Sequence, residues 1–76
     1  MKNIAKKEPD LCLYLWLKIR LWQQLHGIDD SMLAQFLGIS TRSLRDYDKS
    51  AVNVTLGKLD SFLRASGLTL EQLMTI

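Results

Sequence analysis

The chain has one cysteine, one histidine and one proline in 76 residues, and each scarcity closes off a function class. A lone Cys12 excludes an internal disulfide, and no Cys/His cluster offers the spacing that holds zinc. Cys12 lies in an apolar stretch with no base near it in sequence, surroundings expected to leave its thiol inert. A free thiol of this kind suits a reducing, cytoplasmic compartment. His26 precedes Gly27 at a helix-ending position, where an imidazole is expected to cap carbonyls rather than do chemistry. No glycine loop for phosphate and no metal motif occurs. The chain is therefore expected not to be an enzyme and to need no cofactor or metal.

Long hydrophobic runs are missing too. The longest, LCLYLWL at 11–17, is broken at Lys18 and Arg20, well short of the ~18–20 residues that span a bilayer. Lys2, Lys6 and Lys7 precede it, but Glu8, Pro9 and Asp10 sit directly before it and no small-residue cleavage site follows, so secretion is not expected. Charge of one sign is also scarce: ten Lys and Arg stand against eight Asp and Glu, a net +2. Generic basic attraction cannot carry nucleic-acid binding at that charge, so any phosphate-binding surface must be built from a few placed cations. Strand signals reduce to Val52-Asn53-Val54-Thr55, too short and isolated to seed a sheet.

What is present is helical periodicity, with 47% hydrophobic residues to build a core. Residues 1–8 read as a flexible basic arm, and 9–76 as one small domain. Pro9 fits the first position of a helix, with Asp10 beside it at the positive end of the dipole. That helix runs to about His26 and stops at Gly27. Asp29 or Asp30 caps a second through Leu37, ended by Gly38, and Ser40 or Thr41 caps a third reaching about Lys49. Thr55 caps a fourth that ends at Gly67, and Thr69 starts a short fifth. Five helices with short connections make an all-α bundle.

The stretch 30–49, DSMLAQFLGISTRSLRDYDK, carries the functional signal. A wide-angle helix pair needs a small residue at the contact and a turn that accepts positive φ. Ala34 and Gly38 supply these. Leu33, Leu37, Ile39, Leu44 and Tyr47 fall toward the partner helix or the core. Ser40, Thr41, Arg42, Ser43, Arg45 and Asp46 are left outside.

This pattern resembles the helix-turn-helix of the XRE/Cro (phage-repressor-type) family. The likeness continues through Ile28, Leu56, Leu59, Phe62 and Ala65 to the ending Gly67-Leu68-Thr69-Leu70 and Leu73, covering residues 19–73. It departs where Asp30 replaces a Gln that often opens the second helix, and where Gln23 replaces an Arg frequent in the first. Ser50 and Val54 stand where Gly and Pro are common. The resemblance implies a five-helix, lambda-repressor-like DNA-binding domain whose third helix enters the major groove. Base contacts would then fall to Thr41, Arg42, Ser43 and Asp46, with Arg42 able to donate bidentately to guanine. Ser40, Arg45, Lys49, Asn53 and Thr55 would hold phosphates. The bland alternative for Arg42 and Asp46 is a solvated i, i+4 ion pair. The three lysines of the arm either reach around the duplex or fray.

The first helix carries two apolar stripes. Cys12, Leu15, Ile19 and Trp22 are expected to face the core. Tyr14, Leu17, Leu21 and Leu25 form a second stripe about 120–160° away at 100° per residue. That stripe either covers the fourth or fifth helix or forms a dimer or partner surface, extended by Met74 and Ile76. The expected function is a sequence-specific, homodimeric transcriptional repressor on double-stranded DNA. The alternative is a protein-interaction module, phage-inhibitor or antitoxin-like, on the same scaffold without strong DNA binding.

Overall fold

Helix boundaries follow from capping chemistry. The computed structural model describes residues 10–76, so Pro9 and the arm at 1–8 lie outside the described residues. Within it stand α1 (Leu11–Leu25), α2 (Asp30–Leu37), α3 (Thr41–Lys49), a 3₁₀ turn (Ala51–Asn53), α4 (Leu56–Ser66) and α5 (Leu70–Met74), with no strand among the described residues. The five helices are preceded by Asp10, Asp29, Ser40, Thr55 and Thr69. Each of these side chains accepts a hydrogen bond from the backbone N–H three residues on. Each cap is worth ~1 kcal/mol, because it satisfies a donor that has no partner inside the helix. Between the paired candidates, Asp29 and Ser40 are the caps. Asp10 is itself a cap, with extended backbone and its carboxylate 3.1 Å from the Leu13 N–H, so α1 opens at Leu11 rather than at Pro9. Thr69 and Gln72 form a reciprocal capping box, the Gln72 side chain accepting from the Thr69 N–H at 3.0 Å.

Gly38 ends α2 in the left-handed region, at φ 73°, where a β-carbon would cost roughly 1–2 kcal/mol. The chain reverses there within Gly38–Ser40 and starts α3 at once. Ala34, Leu33, Leu37, Leu44 and Tyr47 are all buried, and Ile39 packs half-buried against them. α2 packs against both α3 and α4, while α1 packs against the 3₁₀ turn and α5. The Ser61 hydroxyl donates to the Phe36 carbonyl at 2.9 Å, pinning α4 to the end of α2.

The core is aromatic at its centre. Trp22 and Phe62 meet edge to face at 5.1 Å between ring centres, and Trp16 meets Tyr47 in the same way at 5.4 Å. Such pairs add ~0.5–1.5 kcal/mol beyond the area they bury.

The core stripe of α1 is rotated from its expected place. Trp16 is fully buried with Ile19 and Trp22, whereas Cys12 and Leu15 are half-buried at its edge. Trp16 tolerates burial because its indole N–H donates to Asp48 at 2.8 Å. Gln23 is buried for a similar reason: its amide is engaged by Arg20 and Asp30. The second stripe meets α5 only at its edge, through the Tyr14 hydroxyl and the Met74 carbonyl, and is otherwise left open. Tyr14, Leu17, Leu21 and Leu25 are all exposed. Met74 is exposed nearby, but Ile76 turns half into the core and does not extend that surface.

No helix among the described residues is long and apolar enough to cross a membrane.

Candidate functional site

α3 is about two and a half turns of mostly polar side chains on a buried seam. Leu44 and Tyr47 anchor it, and at spacings of three and four residues they leave the rest of its surface to solvent. Thr41, Arg42, Arg45, Asp46 and Lys49 are exposed, and Ser43 is half-buried. Ser40 and Ser43 are tied to each other: the Ser40 Oγ accepts from the Ser43 N–H at 3.1 Å and donates to the Ser43 Oγ at 3.2 Å. Ser40 therefore holds the helix end rather than offering a free hydroxyl. Thr55 is occupied in the same way, accepting from the Lys58 N–H at 3.2 Å, while Asn53 stands exposed beside it.

The alternative ion pair between Arg42 and Asp46 does not form. The salt bridges among the described residues are Arg20–Asp30, Arg20–Asp48 and Arg64–Asp60. The seven cations among the described residues thus fall into two groups. Arg20 and Arg64 are paired with carboxylates, and the Lys18 ammonium donates to the Ile76 carbonyl at 2.7 Å. Arg42, Arg45, Lys49 and Lys58 have no acidic partner, and three of these four are on α3.

A polar buckle holds α3 in place from behind. The Arg20 Nη2 meets Asp48 Oδ2 at 2.6 Å and its Nε meets Oδ1 at 3.1 Å, a two-pronged grip on the last turn of α3. Its Nη1 donates to Asp30 Oδ1 at 2.8 Å and to Gln23 Oε1 at 2.7 Å, and the Gln23 amide closes the ring by donating to Asp30 at 2.8 Å. One guanidinium therefore links α1, the first residue of α2 and the end of α3. Burial pulls the Arg20 pKa down, but hydrogen bonds and charge from Asp48 and Asp30 outweigh it and raise it. Asp30 is held below its ordinary value by Gln23 first and Arg20 second, with a smaller contribution from the charge of Arg45. Asp48 is lowered chiefly by its hydrogen bond to Arg20 and also by the Trp16 indole, against the effect of burial.

This buckle was not visible in the sequence. Arg20, Asp30 and Asp48 are 10 and 18 residues apart along the chain, and only the packing of three helices brings them together. Within it Asp30 and Gln23 are hydrogen-bond partners inside the fold.

His26 occupies the end of α1. Its ring lies stacked on Trp22 with centroids 4.7 Å apart, and its Nδ1 is 3.0 Å from the Trp22 carbonyl, which requires a donor there. The Cys12 side chain borders a small apolar hollow of about 120 Å³ with Leu15, Val54 and Leu59. No group of three or more potential metal ligands comes together among the described residues. No family model matches the chain, and no curated protein or solved structure is significantly similar to it.

Proposed function

We propose that the chain is a sequence-specific DNA-binding regulator, with α2 and α3 as a helix-turn-helix and α3 as the helix that reads the major groove. The observation that carries this reading is the segregation of charge. The cations paired with an acid or a carbonyl lie on α1 and α4, while three of the four left unpaired project from α3. Unpaired guanidinium groups in solvent are available to phosphate and to base edges without a salt bridge to break. At a net charge of +2 this placement matters more than the total, since each phosphate contact adds its own counterion-release contribution to affinity.

Roles follow from position. Arg42, in the first turn of α3, is the candidate for guanine O6 and N7, a contact worth ~1–3 kcal/mol of discrimination. Thr41 offers a methyl to thymine or a hydroxyl to phosphate. Arg45 and Lys49, further along the helix, are assigned to the backbone, which sets register and not sequence. Asp46 accepts from cytosine. The XRE/Cro-like reading of the fold belongs to this proposal, as does action as a repressor.

The test is selection of bound duplexes from a random pool at low salt, followed by a salt series on the enriched sequence. Log affinity is expected to fall linearly with log salt, and Arg45→Glu to flatten that slope. A pool that enriches no sequence would overturn the reading in favour of an interaction module on the same scaffold.

A further inference from the structure

The outer face of α1 is apolar where a surface helix of a monomer is ordinarily polar. Its core side centres on Ile19, and at 100° per residue the opposite side falls on Leu13, Tyr14, Leu17, Leu21, Gln24 and Leu25. Leu17 and Leu25, near the middle and at the end of that face, are 57% and 63% exposed. α5 touches only its edge, where the Tyr14 hydroxyl is 3.5 Å from the Met74 carbonyl.

We propose that this face is a self-association surface, on which a second copy of this chain packs its own α1 across a two-fold axis. Three observations select that occupant.

The first is charge. The six positions carry no charge, so two identical copies face each other without like-charge repulsion, which an isologous contact would otherwise incur at every pair. The single polar side chain, Gln24, has an amide that both donates and accepts, and so it is complementary to itself. A nucleic acid, an anionic membrane or an acidic peptide would instead call for cations here.

The second is area. Five large apolar side chains at roughly half exposure, with Met74 beside them, present on the order of 500 Å² of apolar surface. That already makes up most of the ~800 Å² per partner of a standard interface, and a polar rim completes it. It also reaches the size of the largest apolar patch on an ordinary monomer, concentrated here on one helix.

The third is shape. Leu13, Leu17, Leu21 and Leu25 are spaced by four and stand as one straight ridge, the element that interdigitates when helices pack ridge into groove. Beside that ridge runs an open hollow of about 650 Å³ between α1 and the start of α2, with Leu17, Leu21 and Ile28 on its apolar wall and the mutually paired Arg20, Gln23 and Asp30 on its polar one, with room for side chains of the second copy. Ridge and hollow lie on the same surface, as a two-fold contact requires.

The inference stands independently of the DNA reading: the face is on α1 and the unpaired cations are on α3. The experiment is sedimentation velocity on the full chain from low micromolar to several hundred micromolar. A reversible monomer–dimer equilibrium is expected. Leu17→Glu is expected to weaken it at least about a hundredfold, the size of a hot-spot loss, with helicity by circular dichroism unchanged because the position is exposed. Gln24→Glu, which changes one atom group and no packing, is a second probe and should weaken association in a salt-dependent way. Leu56→Glu, on α4 and 82% exposed, should dimerise like the parent chain. A parent chain that stays monomeric throughout would overturn the proposal. So would a dimer indifferent to both α1 variants, or a monomer that instead floats with zwitterionic phosphatidylcholine vesicles.

Discussion

α1 and α3 are both short amphipathic helices in one small bundle, yet they present opposite surfaces. α1 turns Trp16, Ile19 and Trp22 inward and leaves leucines outside; its charged side chains, Lys18 and Arg20, are both engaged. α3 turns Leu44 and Tyr47 inward and leaves unpaired cations outside. The same folding rule, bury one face, has been satisfied in each. What differs is the remainder, and the remainder is where binding is decided: an uncharged apolar face can be covered by another apolar face, whereas free cations attract phosphate.

The sharpest way to break the comparison is to remove what holds both inner faces. Trp16→Ala is expected to destabilise by ~3–5 kcal/mol in urea unfolding, because it opens a cavity and also strips the indole donor from Asp48. Arg20→Ala should cost about 1–3 kcal/mol in the same measurement. It should also weaken duplex binding although Arg20 is assigned no DNA contact, because α3 loses its tie to α1 and α2. Arg20→Lys should recover little of either, since a point charge cannot grip Asp48 with two nitrogens and reach Asp30 as well. A comparable loss in the outer face of α3 concerns reading alone: Arg42→Ala should flatten preference at one base pair by ~1–3 kcal/mol with stability unchanged.

Acid should loosen the buckle without touching the outer faces. The Asp30 and Asp48 pKa values are lowered by folding, so their contribution to stability is present above the unfolded carboxylate range, near ~4, and lost as pH falls through the folded values below it. A melting-temperature series should therefore show the parent chain ahead of Asp48→Asn at neutral pH and the gap closing as pH falls below ~4. The gap should be modest, since both carboxylates are more than a third exposed and solvent screens them. Asp46→Ala is the smallest change: with no ionic partner to lose, stability should hold within ~0.5 kcal/mol, while non-specific duplex binding rises slightly.

Much of the architecture was legible because capping and periodicity are local. Gly38, Gly67 and the Asp, Ser and Thr caps mark their helix ends within a residue or two, and the inward set of α2 and α3 was readable from spacing alone. Local rules failed where a polar atom found a distant partner. The burial of Trp16 ahead of Cys12 and Leu15 is not announced because Asp48 lies far from it in sequence, and the burial of Gln23 is not because Asp30 belongs to another helix. The candidate site divides in the same way. Thr41, Arg42, Arg45, Asp46 and Lys49 were nameable as an outward set from α3's own period. The freedom of its cations was not, since an i, i+4 pair between Arg42 and Asp46 was equally open to the sequence.

The order of five helices, their ends to within a residue or two and the apolar side of α2 and α3 were determined by the sequence alone, through hydrogen bonds and hydrophobic spacing that act within four residues. Which charges are neutralised and which stay free, and which of α1's two apolar stripes is covered, were decided only by the tertiary structure. Those outcomes depend on side chains ten or more residues apart arriving within hydrogen-bonding distance, and no local period encodes that meeting.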